Sequence, residues 1–152
     1  MMAYIWASPE KGFWEASWYE RGKRDFTAVR CKGTKVGFLI CTELWFFEHA
    51  REYLKQGIHL LVCPRVTPKS SVDKWVAGGR AAAVVSGAFC LSSNLSGPNL
   101  ESIAFGGAGW VIEPEEGHVL GVTSQNKPFL TVEIDLKHAE KAKRTYPRYV
   151  SD

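Results

Sequence analysis

A chain of 152 residues, 45% hydrophobic and 23% charged, has the composition of one soluble globular domain long enough to bury a core. Its formal charge of +3 is too small to argue for a nucleic-acid partner, and no apolar run approaches the ~18 residues of a membrane span. The opening MMAYIWASPEKG has no basic segment followed by an apolar one, so no signal peptide is expected and the cytoplasm is the default compartment.

In chain order, SPEKGFWEASWYERGKRD (residues 8–25) reads as a long loop rich in turn formers. FTAVRC and KVGFLIC read as two strands joined by a turn at KGT. ELWFFEHAREYLKQG follows as a helix, with Leu44, Phe47, Arg51 and Leu54 on one stripe and Gly57 placed to end it. IHLLVCP is an apolar strand stopped by Pro64, and SVDKWVAGGRAAAVVSG is a helix whose small residues suit close packing on a sheet. AFCLSSN returns as a strand. SIAFGGAGWVIEP and VLGVTS form a hairpin around EEGH. FLTVEIDL alternates, with Leu130, Val132, Ile134 and Leu136 on one face and Glu133 and Asp135 on the solvated other. KHAEKAKR is a helix with a solvated face, not a nucleic-acid patch, and coil follows it. Helices alternating with strands early, and hairpins late, give an α/β class with mixed sheets in a single domain over 1–152.

The four cysteines, Cys31, Cys41, Cys63 and Cys90, form no CxxC pair and read as free thiols. The four histidines show no ligand spacing, so no metal is expected. FGGAG lacks the spacing and following helix of a phosphate loop and reads as a tight strand or bulge. Cys63 suits a buried structural role, or a place in the same pocket as Cys41. Trp14, Trp18 and Tyr19 suit either a pocket wall or a core cluster under the loop.

KVGFLICTELWFFEHAREYL holds the most chemistry. Cys41 ends an apolar strand, Glu43 stands two places on, and a helix follows. A residue on such a turn points out of the sheet. The N–H of Thr42, backed by the helix dipole, can stabilise a thiolate or an oxyanion there. A buried structural cysteine is the competing reading.

The stretch GFLICTELWFFEHAREYLKQGIHLLVCPR resembles the cysteine motif of the nitrilase, or carbon–nitrogen hydrolase, superfamily. Gly37, Cys41, Glu43, Glu48 and Arg51 stand in its register. The resemblance extends upstream to GFWEASWYERG, where Glu15 matches a pocket-supporting acid, and downstream through LSSN and FGGAGWVIEPEEG to LTVEIDLKHAEKAKRTYPRY. It implies an α-β-β-α sandwich of two mixed sheets, here partial. It also implies cleavage of non-peptide C–N bonds in a small amide, carbamoyl compound or nitrile through a cysteine acyl-enzyme, without any cofactor. In this reading Cys41 is the nucleophile, and Thr42, Glu15 and Glu43 support the pocket and oxyanion. Homo-oligomers form in the family through outer helices, which places residues 44–54 and the basic tail near an interface. CTE keeps only the glutamate of the Trp-Glu found in true nitrilases, which leans toward amides.

The sequence departs from the family pattern in places. The catalytic lysine position falls near Tyr4, and Lys11 is the nearest lysine. The general-base glutamate belongs to a segment expected before Met1. AAVVS carries Val85 where the second helix has a glutamate, and Arg80 lies out of register. A chain lacking part of each sheet is expected to expose apolar faces and strand edges. A non-catalytic fragment or interaction module on the family scaffold therefore stands as the alternative, with a redox role for Cys41 as a third reading.

Overall fold

The protein is described by a computed structural model covering residues 25–97 and 104–150. Tyr4, Lys11, Trp14, Glu15, Trp18 and Tyr19 lie outside the described residues. β1 (Val29–Cys31) and β2 (Thr34–Phe38) form an antiparallel hairpin in which Cys31 faces Thr34. Lys32 and Gly33 between them have φ of 46° and 83°, the paired positive values of a two-residue hairpin turn.

β2 then pairs in parallel with β3 (Leu60–Arg65), and β3 with β4 (Phe89–Asn94). β5 (Trp110–Ile112) and β6 (Val119–Val122) complete the sheet as antiparallel neighbours. The strand order follows the chain order in one six-stranded mixed sheet. The expected class holds. The two-sheet sandwich is not complete, because the described residues build a single sheet.

The connections between the parallel strands are α1 (Phe47–Lys55) and α2 (Val72–Ser86). α1 lays the Tyr53 ring on Gly37, where an added Cβ would lie 2.8 Å from the ring, and the Tyr53 hydroxyl donates to Phe38 O at 3.1 Å. α2 lays Gly78 on Trp45 and Gly79 on Trp110, each leaving only 2.8 Å to an added Cβ. This is the close packing expected of its small residues. Gly87, at φ 59°, caps α2 in the left-handed conformation. Between helices and sheet lies a core of Leu39, Leu44, Tyr53, Ile58, Leu61 and Trp110, with Ala82 and Ala83 from α2.

Several local expectations are corrected. The helix after Cys41 is not continuous: a 3-10 turn, Thr42–Trp45, precedes α1, and Phe46 between them has φ −95° and ψ 81°. The fully buried residues of α1 are Ala50 and Tyr53, while Phe47, Arg51 and Leu54 on the expected stripe are half-buried. Pro64 does not stop β3, which runs on through Arg65; its carbonyl still accepts from Cys41 N–H.

FLTVEIDL shows the expected alternation, with Leu130, Val132, Ile134 and Leu136 half-buried and their neighbours exposed. It forms no ladder among the described residues, so it is not a sheet strand there. Asp135 is not merely solvated. Its Oδ1 accepts from Lys137 N–H at 2.9 Å and caps α3 (Leu136–Ala142), where a short acidic side chain satisfies a free helix donor.

Candidate active site

The elbow at Cys41 is built by extending the β2–β3 pairing beyond β2. Leu39 N–H donates to Val62 O at 3.0 Å, and Cys41 N–H donates to Pro64 O at 2.9 Å. The chain then turns sharply: Glu43 N–H reaches Ile40 O and Leu44 N–H reaches Cys41 O, both at 3.1 Å. Thr42 N–H donates to no backbone carbonyl among the described residues. It opens the 3-10 turn, where donors have no partner within the helix.

Cys41 itself has φ 50° and ψ −115°, values that suit glycine at the first central position of a tight II′ turn. Besides Lys32 it is the only non-glycine with positive φ among the described residues. Such a conformation costs ~1–3 kcal/mol and persists where surrounding contacts over-determine it, most often at functional sites. Here the contacts are the two β3 carbonyls and a carboxylate.

That carboxylate is Glu43, only 1% exposed, whose Oε2 accepts from Ile40 N–H at 2.7 Å. It clasps the strand end to the 3-10 turn and so holds the elbow closed. Burial pushes its carboxyl above the ordinary 4.5, and the Ile40 N–H works in the opposite direction. The folded state thus keeps this proton to higher pH than the unfolded chain. Stability from this group is full below 4.5 and declines as pH rises through the raised value. Glu43→Gln is expected to flatten that decline, and Glu43→Ala to cost about 2 kcal/mol by stranding Ile40 N–H. Urea denaturation across that pH range measures both.

Cys41 is 5% exposed, and all four thiols are unpaired as expected. Cys63 and Cys90 are fully buried. Cys63 Sγ lies 3.9 Å from Cys41 O, directly beneath the elbow, and burial pushes its thiol far up. Burial pushes Cys90 up to about 11. Neither is available as a thiolate at neutral pH.

Arg65 was not singled out by sequence, although a basic residue ending an apolar strand is the signal that marks it. It is 5% exposed. Nε donates to Ser92 Oγ at 3.0 Å, Nη1 to Thr67 Oγ1 and Nη2 to Ala108 O. Its guanidinium carbon stands 4.2 Å from the Trp110 ring centre and 5.5 Å from that of Trp75. Burial pulls it down to about 10, so it remains a cation at neutral pH.

The two helix residues of the motif, Glu48 and Arg51, are not fully buried. Glu48 is exposed. Arg51 donates to the carbonyls of Arg148, at 3.2 Å, and Val150, tying the C-terminal tail to α1. Arg80 donates to Gly117 O at 2.8 Å and serves the β5–β6 connection. Glu113 accepts from the N–H groups of Glu115, Glu116 and His118 and organises the same loop. Among the described residues no group of three or more His, Cys, Asp or Glu could hold a metal ion. No helix among them is long and apolar enough to cross a membrane.

Known proteins resemble this chain in sequence and in fold. The chain is 27% identical over 115 residues to 2-oxoglutaramate amidase of Bacillus subtilis strain 168, covering 76% of this chain and 44% of that protein. The fold superposes on a carbon–nitrogen hydrolase from Helicobacter pylori G27 with a TM-score of 0.80 and 25% identity, covering 90% of this chain and 52% of that one. It superposes likewise on Saccharomyces cerevisiae Nit3, of branch 10 of the nitrilase superfamily, with a TM-score of 0.74 and 18% identity, over 86% of this chain and 48% of Nit3. The chain therefore spans about half the length of these relatives. A family model described as carbon-nitrogen hydrolase matches residues 4–144. With an elbow cysteine on a mixed sheet and a family match over nearly its whole length, the chain belongs to the carbon–nitrogen hydrolase, or nitrilase, superfamily.

Proposed function

We propose that the protein hydrolyses a small, non-peptide amide through a covalent thioester at Cys41. The observation that carries this is the strained backbone of Cys41, beside a Thr42 N–H that donates to no backbone carbonyl among the described residues, in a chain of this family. The thiolate attacks the amide carbon, and the carbonyl oxygen becomes an oxyanion held by Thr42 N–H. As that intermediate collapses the C–N bond breaks and the proton given up by the thiol passes to the nitrogen, which leaves as ammonia; water then cleaves the thioester C–S bond, releasing the acid and returning a proton to the thiol. Glu43 is a positioning residue, since its Oε2 is already committed to Ile40 N–H. Glu15 lies outside the described residues. An amide is favoured over a nitrile by the CTE motif and by the amidase among the relatives.

The test is ammonia release from a panel of small primary amides by the full chain, with an acid quench and mass analysis of the peptide containing Cys41. An acyl mass on Cys41 that decays as acid accumulates supports the reading. Absence of both adduct and ammonia would favour the non-catalytic scaffold.

A further inference from the structure

FLTVEIDL has the side-chain pattern of a strand without a ladder. Among the described residues, no N–H or C=O from Phe129 to Ile134 meets another backbone group, although Leu130, Val132 and Ile134 are half-buried. Burial at every second residue is that of extended chain, and extended chain with an unpaired edge is a template for another strand.

The place of the segment in the fold leaves that edge open. An added Cβ on Gly121 would lie 2.8 Å from the Leu130 side chain, so the segment starts on β6, the last strand of the sheet. Gly121 pairs with Val111, whereas neighbouring Trp110 meets α2, so the segment lies on the sheet face turned away from the helices. Val119, Leu120 and Val122 of β6 are exposed, and Phe129 is 91% exposed. The unpaired backbone thus borders uncovered apolar side chains, and such a surface marks a site of association.

The charges on the segment select what pairs with it. An antiparallel partner of the same sequence, centred on Thr131, sets Leu130 opposite Val132 on the inward face and Thr131 opposite its own copy on the outward face. It also sets Lys127 opposite Asp135 at both ends, and Asp135 commits only Oδ1 to its helix cap. Centring the pair on Val132 would instead oppose Lys127 to Lys137. Because Leu130 ties each segment to its own β6, a two-fold axis through Thr131 carries both β6 strands to the same interface.

We propose that residues 127–135 form an antiparallel ladder with the same residues of a second copy of this chain, making a two-fold dimer. This surface is separate from the outer helices through which the family resemblance implies association.

Sedimentation velocity of the full chain and two variants tests it. The wild type is expected to dimerise. Thr131→Lys and Thr131→Glu each place like charges opposite one another at the axis, and each should raise the dimer dissociation constant by about tenfold. An equimolar mixture of the two should restore the wild-type value, a recovery that misfolding of either variant cannot produce. Thr131 is exposed, so neither change enters the core.

A wild type that stays monomeric overturns the proposal and leaves the edge to a different polypeptide. A dimer that both variants leave intact also overturns it, and moves the interface elsewhere. Should either variant fail to fold, Thr131→Cys decides, in a Cys31→Ser background that removes the exposed native thiol. Opposed across the axis, the two new thiols should close an intermolecular disulfide under mild oxidation, and a chain that stays uncrosslinked overturns the proposal equally.

Discussion

Cys41→Ala is expected to reduce ammonia release by at least about a thousandfold, because no other group at the elbow can form the covalent intermediate. Cys63 and Cys90 cannot stand in, since both are fully buried and burial holds their thiols protonated. The more informative companion is Cys41→Gly. At φ 50° and ψ −115° a side chain works against the backbone, and glycine removes that strain. Cys41→Gly should be as inactive as the alanine variant yet more stable than the wild type by about 1 kcal/mol, after its own entropy cost. Thermal or urea unfolding of the three proteins in parallel reads this. A Cys41→Gly variant clearly less stable than Cys41→Ala would show that the conformation is not strained, and the argument from strain to function would fail.

Gly109→Ala should cost about 3 kcal/mol or more and lower soluble yield. Gly109 enters β5 against β4, where an added Cβ would press far inside contact distance of Ser92 O, with Ser92 C and Ser93 Cα each at 3.2 Å. These are backbone atoms of a paired strand, so no rotamer change makes room. β5 must move outward, and with it the Ala108 carbonyl that holds Arg65 and the Thr123 hydroxyl that accepts from Gly109 N–H at 2.7 Å. The urea midpoint measures the loss. A change below about 0.5 kcal/mol would mean that the two strands cross more loosely than described. The last glycine of FGGAG, read from sequence as a tight strand or bulge, is required by strand packing.

Much of the scaffold was legible because its signals are local. Apolar runs bounded by turn residues marked β2, β3 and β4, and small residues ending at Gly87 marked α2. Cys41, Thr42 and Glu43 were legible as a group because a strand-to-helix junction brings sequence neighbours together. What they do there was less legible. That Glu43 bends back to Ile40 N–H depends on the 3-10 turn, and nothing in ELWFFEH announces the break at Phe46. FLTVEIDL shows the opposite limit. Alternation records which side chains face inward, whereas a ladder needs a neighbouring backbone that a one-strand pattern cannot supply. Arg65 escaped notice because its partners, Thr67, Ser92 and Ala108, come from three separate segments.

The adjacent glycines of α2 bear on the order in which the chain assembles. Gly78 and Gly79 stand mid-helix, each lowering intrinsic helicity by about 1 kcal/mol relative to alanine. The contacts that repay this are the rings of Trp45 and Trp110, one from the turn after β2 and one from β5. Trp110 lies more than twenty residues beyond the end of the helix it steadies. α2 thus has little reason to coil before β5 has docked beside β4. It is expected to consolidate late, as an element that depends on β5.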